Sequence, residues 1–461
     1  MKLTSILSLS LLVAGTSSVS AQTLKLHFAD PSLAEKAIVK ISGHDYDSEY
    51  NCEKSLPVAL DANGDFTATG FNPEGRPFVQ GWINVDRHDY GFIAEPGKTL
   101  TVNVGKSGDD GVEFTSTGET AKETALFNDL NRAFDYSVYY DFTDTVPEQR
   151  QARLPLLDAN HKEMKEKIGS YNGNPVFKEW ILKINDNSKT YFQLNIAREG
   201  AESAALPTEL TDAIDINDPV ALYSSLPEYL ISSLIPMEKW QDASDWGKTY
   251  LGLVKEKVTN PIVRNSLIEG CVRQAMYSRN HSDIDGYMTQ LASMVGEDSP
   301  LVKDNLSKAA AIKLTQVGNP APDLEFTDRE GNLYRLSDFK GKTLFVDCWA
   351  TWCKPCVEEI PYMKQRYEEK FKDDDRVVFI SLSIDEDIER WKKFVDKKDL
   401  PWGQYVATAQ GNKDIDDKYG VEGIPYFFVV NADGTIGCNE ASRPSFPDFN
   451  DFLESIISAQ K

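Results

Sequence analysis

Two cysteines separated by two residues, Cys353 and Cys356, have the spacing in this chain that most directly implies chemistry. They lie in the stretch WATWCKPCVEEIP, residues 349–361, directly after an apolar, strand-like run and at the start of a predicted helix. Unpaired backbone N–H groups and the helix dipole favour negative charge there, and Lys354 adds a neighbouring cation. We therefore expect Cys353 to be an exposed, activated nucleophile and Cys356 to be its shielded partner, as thiol–disulfide exchange requires.

Two other interpretations of the pair are half of a zinc site and a purely structural bridge. A zinc site needs about four ligands, and none of the five histidines lies after His281. Ligand supply therefore disfavours zinc, and we expect no metal and no cofactor, whereas a structural bridge stays an open alternative. Cys271 and Cys348 are interpreted as small buried hydrophobic residues. The remaining cysteines, whose pairing the sequence leaves open, are Cys52 and Cys438.

The first 21 residues have the layout of a cleavable secretion signal. Lys2 precedes an apolar run from Leu3 to Ala14, and small residues lead to a cleavage point after Ala21. Thr16 stands where a lipid-bearing cysteine would have to be, so we expect no lipid anchor. No later stretch approaches the ~20 apolar residues of a membrane helix. The sequence therefore predicts a protein of the periplasm or cell envelope without an integral membrane segment.

The bulk composition limits the partners and the number of domains. A formal net charge of −23 repels phosphate backbones, so nucleic acid is not an expected partner. The length of 461 residues exceeds what a single core of roughly 250 to 300 residues supports, which predicts two or three domains. Apolar residues at 41% are enough for packed cores, so the acidity does not indicate disorder. The oligomeric state stays open.

The sequence pattern changes twice along the chain. Residues 22–115 alternate apolar and polar positions between turn signals and predict a small β-rich domain. Residues 116–315 have helical spacing and predict an all-α middle domain, and residues 316–461 predict an α/β domain. In the middle domain, prolines that follow a cap-type residue predict helix starts at Pro175, Pro219, Pro261 and Pro300.

The last region predicts strands and helices in alternation, with a parallel pair joined by a crossover and a final antiparallel hairpin. The predicted elements are a hairpin around residues 329–332, a strand at Thr343–Trp349, a helix from Pro355 to about Phe371, a strand at Val377–Ile384, a helix carrying Trp391, strands at Tyr426–Val430 and Thr435–Cys438, and a helix over residues 449–457.

Several residues around the cysteine pair resemble the active site of the thioredoxin superfamily. Besides residues 352–356, Asp347 stands where thioredoxin carries its buried acid, Pro361 where its helix kinks, and residues 423–426 resemble its cis-proline loop. The lead-in APDLEFTDREGNLYRLSDFKGKTLFVDCWATWC resembles the TlpA/ResA-like branch, related to the AhpC/TSA group. The resemblance covers about Gly318–Lys461, and a β-rich domain often precedes such domains.

The resemblance implies a role for each matching residue. Cys353 attacks a disulfide, Cys356 resolves the mixed disulfide, and Asp347 exchanges the resolving proton through water. A carboxyl in an apolar strand is expected to have a raised pKa, which suits it to this work, although Asp347 could instead be a locally satisfied structural acid. Pro425, if cis, would hold Ile424 extended beside the cysteines, where its backbone could pair with substrate; an ordinary trans turn is the alternative.

Further residues beside the pair complete the predicted site. Trp352 is expected to line a groove for substrate, whereas Trp349 is expected to lie in the core. The substrate-binding residues that the sequence predicts are Trp352, Lys354, Pro355 and Ile424.

The resulting functional hypothesis is an exported thiol–disulfide oxidoreductase that acts on protein or peptide thiols. The reducing direction is favoured over oxidation, and it requires an electron donor in the envelope. A thiol peroxidase is the enzymatic alternative. Peroxiredoxins place Thr or Ser three residues and Pro seven residues before the attacking cysteine, and those positions are Ala350 and Val346 here. A binding or scaffold protein with a redox appendage is the alternative from another class, because most of the chain precedes the predicted redox domain.

Overall fold

The computed structural model describes residues 21–42, 53–56, 58–71, 77–108, 111–134, 151–198, 206, 208–211 and 214–459. They belong to two compact units, one ending at Tyr229 and one running from Leu230 to Lys461. Residues 1–20 of the predicted signal segment and Cys52 lie outside the described residues. The predicted boundaries at 115 and 315 stay predictions.

The first unit contains two four-stranded sheets. Their strand orders are β4-β1-β7-β8 and β3-β2-β5-β6. The sequence VQGWINV alternates buried and half-buried positions, the period-two pattern of a strand with one face on a core. The strands are β1 (Thr23–Phe28), β2 (Ala37–Ser42), β3 (Glu53–Leu56), β4 (Asp65–Thr69), β5 (Val79–Val85), β6 (His88–Ala94), β7 (Thr99–Ser107) and β8 (Gly111–Gly118).

Helices follow the sheets, and they begin where the prolines predict. The Asn174 side chain accepts a hydrogen bond from the N–H of Val176, and the Asn260 side chain accepts one from that of Ile262. Helices start at Pro175, Pro261 and Pro300, and a 3-10 helix covers Pro219–Ser224. The helices that begin in the first unit are α1 (Pro31–Ala34), α2 (Ala121–Ala133), α3 (Leu154–Ser170), α4 (Pro175–Arg198), α5 (Thr208–Thr211) and α6 (Leu226–Ser233).

The second unit begins with helices of the predicted middle region. Val263, Leu267 and Cys271 recur every four residues on one helix face, and all three are buried. These helices belong to the same compact unit as the C-terminal sheet. They are a 3-10 helix (Met237–Gln241), α7 (Ala243–Lys257), α8 (Pro261–Tyr277), α9 (Ile284–Val295), α10 (Pro300–Lys303) and α11 (Leu306–Leu314).

The C-terminal sheet has seven strands in the order β10-β9-β13-β12-β11-β14-β15. The interior strand β11 pairs in parallel with β12 and antiparallel with β14, and all seven of its residues are buried. The predicted terminal hairpin of β14 and β15 is confirmed. The strands are β9 (Glu325–Thr327), β10 (Leu333–Arg335), β11 (Thr343–Trp349), β12 (Val377–Ser383), β13 (Gly403–Ala407), β14 (Tyr426–Val430) and β15 (Ile436–Cys438).

The sequence analysis missed one strand and one helix of this layer. Strand β13 pairs with β12 and β9, and helix α14 follows it. The predicted helix from Pro355 to about Phe371 is α-helical as far as Arg366, and Tyr367–Phe371 continues it as a π-helical turn. The helices are a 3-10 helix (Leu336–Phe339), α12 (Lys354–Arg366), α13 (Ile388–Lys398), α14 (Ala409–Tyr419) and α15 (Phe449–Ala459). None of the helices in the described part of the chain is long and apolar enough to span a bilayer.

Candidate active site

The cysteine pair lies where strand β11 passes into a helix. Strand β11 ends at Trp349, and Cys353 is the N-cap residue of α12, with Pro355 in the first turn. Cys353 and Cys356 are disulfide-bonded. The backbone N–H of Cys356 donates to the sulfur of Cys353 at 3.2 Å. This donor belongs to the unpaired N–H groups of the helix start, and it would stabilise a thiolate at Cys353 in the reduced state.

The exposure of the two sulfur-bearing residues differs less than the sequence predicts. Only 5% of Cys353 and 3% of Cys356 is exposed. The expectation of an exposed nucleophile is therefore wrong for the disulfide-bonded state, because the surrounding loop and apolar neighbours such as Trp349 and Ile360 cover both residues. The Lys354 side chain is 88% exposed, and its Nζ lies 3.8 Å from a carboxylate oxygen of Glu358. Because it extends into solvent, Lys354 makes a weaker electrostatic contribution than the buried backbone donor.

A buried carboxylate holds the loop that leads into Cys353. Asp385, which follows β12, accepts hydrogen bonds from the N–H and the hydroxyl of Thr351 at 2.8 and 2.7 Å. It also accepts one from the Ser383 hydroxyl at 2.7 Å. Three donors on one buried carboxylate fix the backbone two residues before Cys353. The sequence analysis missed Asp385, because its partner lies 34 residues away.

Asp347 lies on β11, facing the interior. Burial raises its pKa to about 7, and the negative charge of Glu359 adds to the effect. The Ser381 hydroxyl donates to the Asp347 carboxylate at 3.1 Å, and this hydrogen bond lowers the pKa. Trp402 Nε1–H in turn donates to Ser381 at 2.9 Å. The expected upward pKa shift is thus present, and the carboxyl can hold or release a proton near neutral pH.

Glu359 is a second acid that the sequence analysis did not select. It lies on α12, three residues after Cys356, and it is buried. Its carboxylate accepts from the N–H of Ser445 at 3.0 Å and from the Ser445 hydroxyl at 2.8 Å. The Glu359 charge acts on Asp347 and raises the pKa of that carboxyl. A glutamate one turn after the second cysteine was the available signal in the sequence.

The loop before β14 approaches the cysteines from the other side. The Ile424–Pro425 peptide is cis, as the resemblance implies. The Cys353 sulfur lies 3.7 Å from the Ile424 carbonyl oxygen, close enough for the reduced thiol to donate to it. Trp352 is 58% exposed beside the pair, whereas Trp349 is buried in the core. The structure therefore places Ile424 and Pro425 beside the cysteine pair, and Trp352 directly precedes Cys353.

Three further cysteines lie in the described residues, outside the bonded pair. Cys348 is buried, and burial raises the pKa of its thiol far above the ordinary range. Cys271 is buried on α8, with its sulfur 3.7 Å from the Gly247 carbonyl oxygen. Burial also raises the pKa of the Cys438 thiol. Raised thiol pKa values make Cys348 and Cys438 poor nucleophiles at neutral pH. Since Cys353 and Cys356 are bonded to each other, neither is a zinc ligand in this state.

Comparison with known proteins identifies the class of the C-terminal region. A family model described as Redoxin matches residues 316–452. ResA, a thiol–disulfide oxidoreductase from Bacillus thuringiensis subsp. konkukian, is 40% identical over 141 residues, which cover 31% of this chain and 79% of the relative. ResA from Geobacillus thermodenitrificans is 31% identical over 140 residues, which cover 30% and 78%. The C-terminal region is therefore a thioredoxin-like thiol–disulfide oxidoreductase.

The chain belongs to the ResA family of thiol–disulfide oxidoreductases. Among solved structures, the thioredoxin domain of a thiol–disulfide oxidoreductase from Bacteroides vulgatus is 30% identical and covers 31% of this chain and 98% of that chain, with a TM-score of 0.28. A TM-score this low adds no argument of its own. The predictions of the TlpA/ResA-like branch, of a multidomain fold with a C-terminal thioredoxin-like domain, and of an oxidoreductase are confirmed.

Proposed function

We propose that this chain is an exported oxidoreductase that reduces disulfides in proteins or peptides through Cys353 and Cys356. The observation that carries the proposal is the hydrogen bond from the Cys356 N–H to the Cys353 sulfur at the first turn of α12. A thiolate is the attacking species in disulfide exchange, and this donor stabilises negative charge on one sulfur of the pair. Cys353 is thereby assigned as the nucleophile and Cys356 as the resolving residue.

The exchange proceeds in two steps. The Cys353 thiolate attacks one sulfur of the substrate disulfide, forms a mixed disulfide, and expels the other substrate sulfur as a thiolate. The Cys356 thiol then loses its proton and attacks the Cys353 sulfur, which forms the intramolecular disulfide and releases the second substrate sulfur. The substrate gains two electrons, and the cysteine pair loses two.

Asp347 is assigned as the acceptor of the Cys356 proton, directly or through water. A carboxyl with a pKa of about 7 is partly ionised at neutral pH, so it can accept a proton and return it in the reverse direction. Ile424 is assigned as the backbone contact for an extended substrate segment, since its carbonyl lies 3.7 Å from the attacking sulfur. Trp352 supplies an exposed apolar surface beside it.

The proposal also includes the cellular location of the protein and the direction of disulfide exchange. The signal-like pattern of residues 1–21 supports a site of action in the periplasm or cell envelope. A reductase there needs a two-electron donor that restores the dithiol, and we assign that role to an envelope thiol carrier. The reducing direction requires a potential near the lower end of the range of about −270 to −120 mV that related pairs span.

A trapping experiment tests the proposal. Cys356→Ser leaves the attacking sulfur and removes the resolving one, so the mixed disulfide with the substrate should accumulate and migrate as a larger species that dithiothreitol releases. Cys438→Ser is the matched control for a cysteine outside the pair, and it should behave like the parent. If Cys353→Ser traps the same adducts, or if Cys356→Ser traps none during insulin reduction, the assignment is wrong.

A further inference from the structure

Arg279 is a buried arginine that the redox chemistry described above does not use. It lies in the connection between α8 and α9, and only 5% of it is exposed. Its Nη2 donates to the Gly420 carbonyl oxygen, and its guanidinium carbon lies 6.0 Å from the ring centre of Tyr426. A buried charge is costly unless hydrogen bonds and aromatic faces compensate it. Gly420 and Tyr426 are the first and last residues of the segment that carries Ile424.

The backbone of Arg279 also forms hydrogen bonds, with the side chains of Asn439 and Glu440. The Asn439 side chain donates to the Arg279 carbonyl oxygen at 3.0 Å, and the Arg279 N–H donates to Glu440 at 3.4 Å. The Tyr426 hydroxyl donates to the Asn439 carbonyl oxygen. Arg279, Tyr426 and Asn439 therefore form one connected group, and a displacement of the arginine would be transmitted to the C-terminal end of the segment.

Gly420, the first residue of the 420–426 segment, allows Arg279 to approach closely. Its φ of +60° is in the left-handed region, and a Cβ there would lie 2.6 Å from Nη1 of Arg279 and 3.1 Å from Cβ of Ala311. Glycine is thus required both by the backbone conformation and by the close approach of the arginine. A second contact lies between these ends, where Lys308 of α11 forms an ion pair with Glu422.

We propose that Arg279 is a positioning residue that fixes residues 420–426, so that the Ile424 backbone is presented to polypeptide substrates. The inference rests on the proposed function and extends it, because it gives the connection between α8 and α9, together with α11, a role in the reaction. A segment held at both ends keeps the Ile424 carbonyl 3.7 Å from the Cys353 sulfur. Pairing with an extended peptide depends on this placement, whereas attack on a small disulfide needs only the sulfur.

The test compares two substrates in the full-length chain. Arg279→Gln should lower kcat/KM for insulin roughly tenfold, mainly through KM, while kcat/KM for hydroxyethyl disulfide stays within about twofold of the parent. Arg279→Lys keeps one donor for the Gly420 carbonyl and should restore most of the insulin activity. Arg264→Gln, on the exposed side of α8, is the matched control and should change neither substrate.

A second pair of variants covers the outcome in which Arg279→Gln does not fold. Glu422→Lys should lower insulin activity selectively by about threefold, and adding Lys308→Glu should restore it, because the exchanged charges pair again. Equal loss on both substrates, or no loss on either, in the folded variants would overturn the proposal. If the parent itself reduces neither insulin nor hydroxyethyl disulfide, the proposed function fails instead.

Discussion

Ser381 lies opposite Asp347 in the parallel pair of β11 and β12, and its hydroxyl donates to the Asp347 carboxylate at 3.1 Å. This bond favours the ionised carboxylate, whereas burial and the charge of Glu359 favour the protonated one. The pKa of about 7 results from this opposition. Because Trp402 donates to the same hydroxyl, the orientation of Ser381 is also fixed.

Ser381→Ala should raise the pKa of Asp347 further, since it removes the contact that lowers it. The pH at which the single-turnover resolving rate reaches half its maximum should move upward by the same amount. The rate and a carboxyl NMR titration measure the shift independently. Trp402→Phe is the control, because it leaves the Ser381 bond to Asp347 in place and should not move the pKa upward. An unchanged or lower pKa in Ser381→Ala would contradict the account.

Asp347→Asn should stabilise the oxidised protein above neutral pH. The folded-state pKa of about 7 lies above the ~3.9 of an unfolded aspartate, so the contribution of Asp347 to the free energy of unfolding is most favourable at low pH and declines between about pH 4 and 7. The loss is roughly 4 kcal/mol as an upper bound, and the asparagine variant should lack it. Urea unfolding at about pH 5 and about pH 8 gives the comparison. Asp375→Asn, at an exposed position, should show the same change of unfolding free energy with pH as the parent. An equally large change in Asp347→Asn would contradict the prediction.

Asp385→Asn should loosen the loop before Cys353. One carboxylate oxygen becomes an NH2 group, which cannot accept the hydrogen bond that Thr351 donates to that position, and this loss costs about 1–3 kcal/mol of unfolding free energy. The rate at which reduced Cys353 attacks a disulfide should fall roughly tenfold because the loop is less ordered. Asp387→Asn is the matched control: Asp387 caps α13 through the Arg390 N–H, and asparagine caps equally well. Equal behaviour of the two variants would contradict the role of Asp385.

Hydrogen peroxide should be a poor oxidant of the reduced enzyme. Ala350 and Val346 are both buried and carry no hydroxyl or ring at the positions that peroxiredoxins use. Consumption of peroxide with dithiothreitol as donor should therefore stay near the rate of an ordinary thiol, while insulin reduction proceeds. Turnover of peroxide faster than that of insulin would favour the peroxidase alternative.

Much of the C-terminal fold could be predicted, because its signals are local. The apolar run of β11 and the prolines that open helices such as α8 lie within the elements they specify. Strand β13 was missed, since the sequence GQYVA is short and contains glycine and alanine, both depleted in strands. Its strand conformation depends on pairing with β12 and β9. The helix α14 that follows is rich in polar residues and includes Gly411.

The candidate site likewise has a part that local sequence predicts and a part that only the folded chain decides. The spacing of Cys353 and Cys356 at a helix start was sufficient to indicate redox chemistry, because helix-end electrostatics depends on the neighbouring residues alone. The hydrogen bonds between Thr351 and Asp385 and the placement of Arg279 beside Gly420 join residues that are 34 and 141 positions apart. Only the packed chain decides such contacts, since desolvation and long-range hydrogen bonds arise when distant segments meet. The sequence by itself thus predicted the two sulfur atoms that we propose to react, and the tertiary structure decided their burial, the pKa of the neighbouring acid and the hydrogen bonds that hold the surrounding loops.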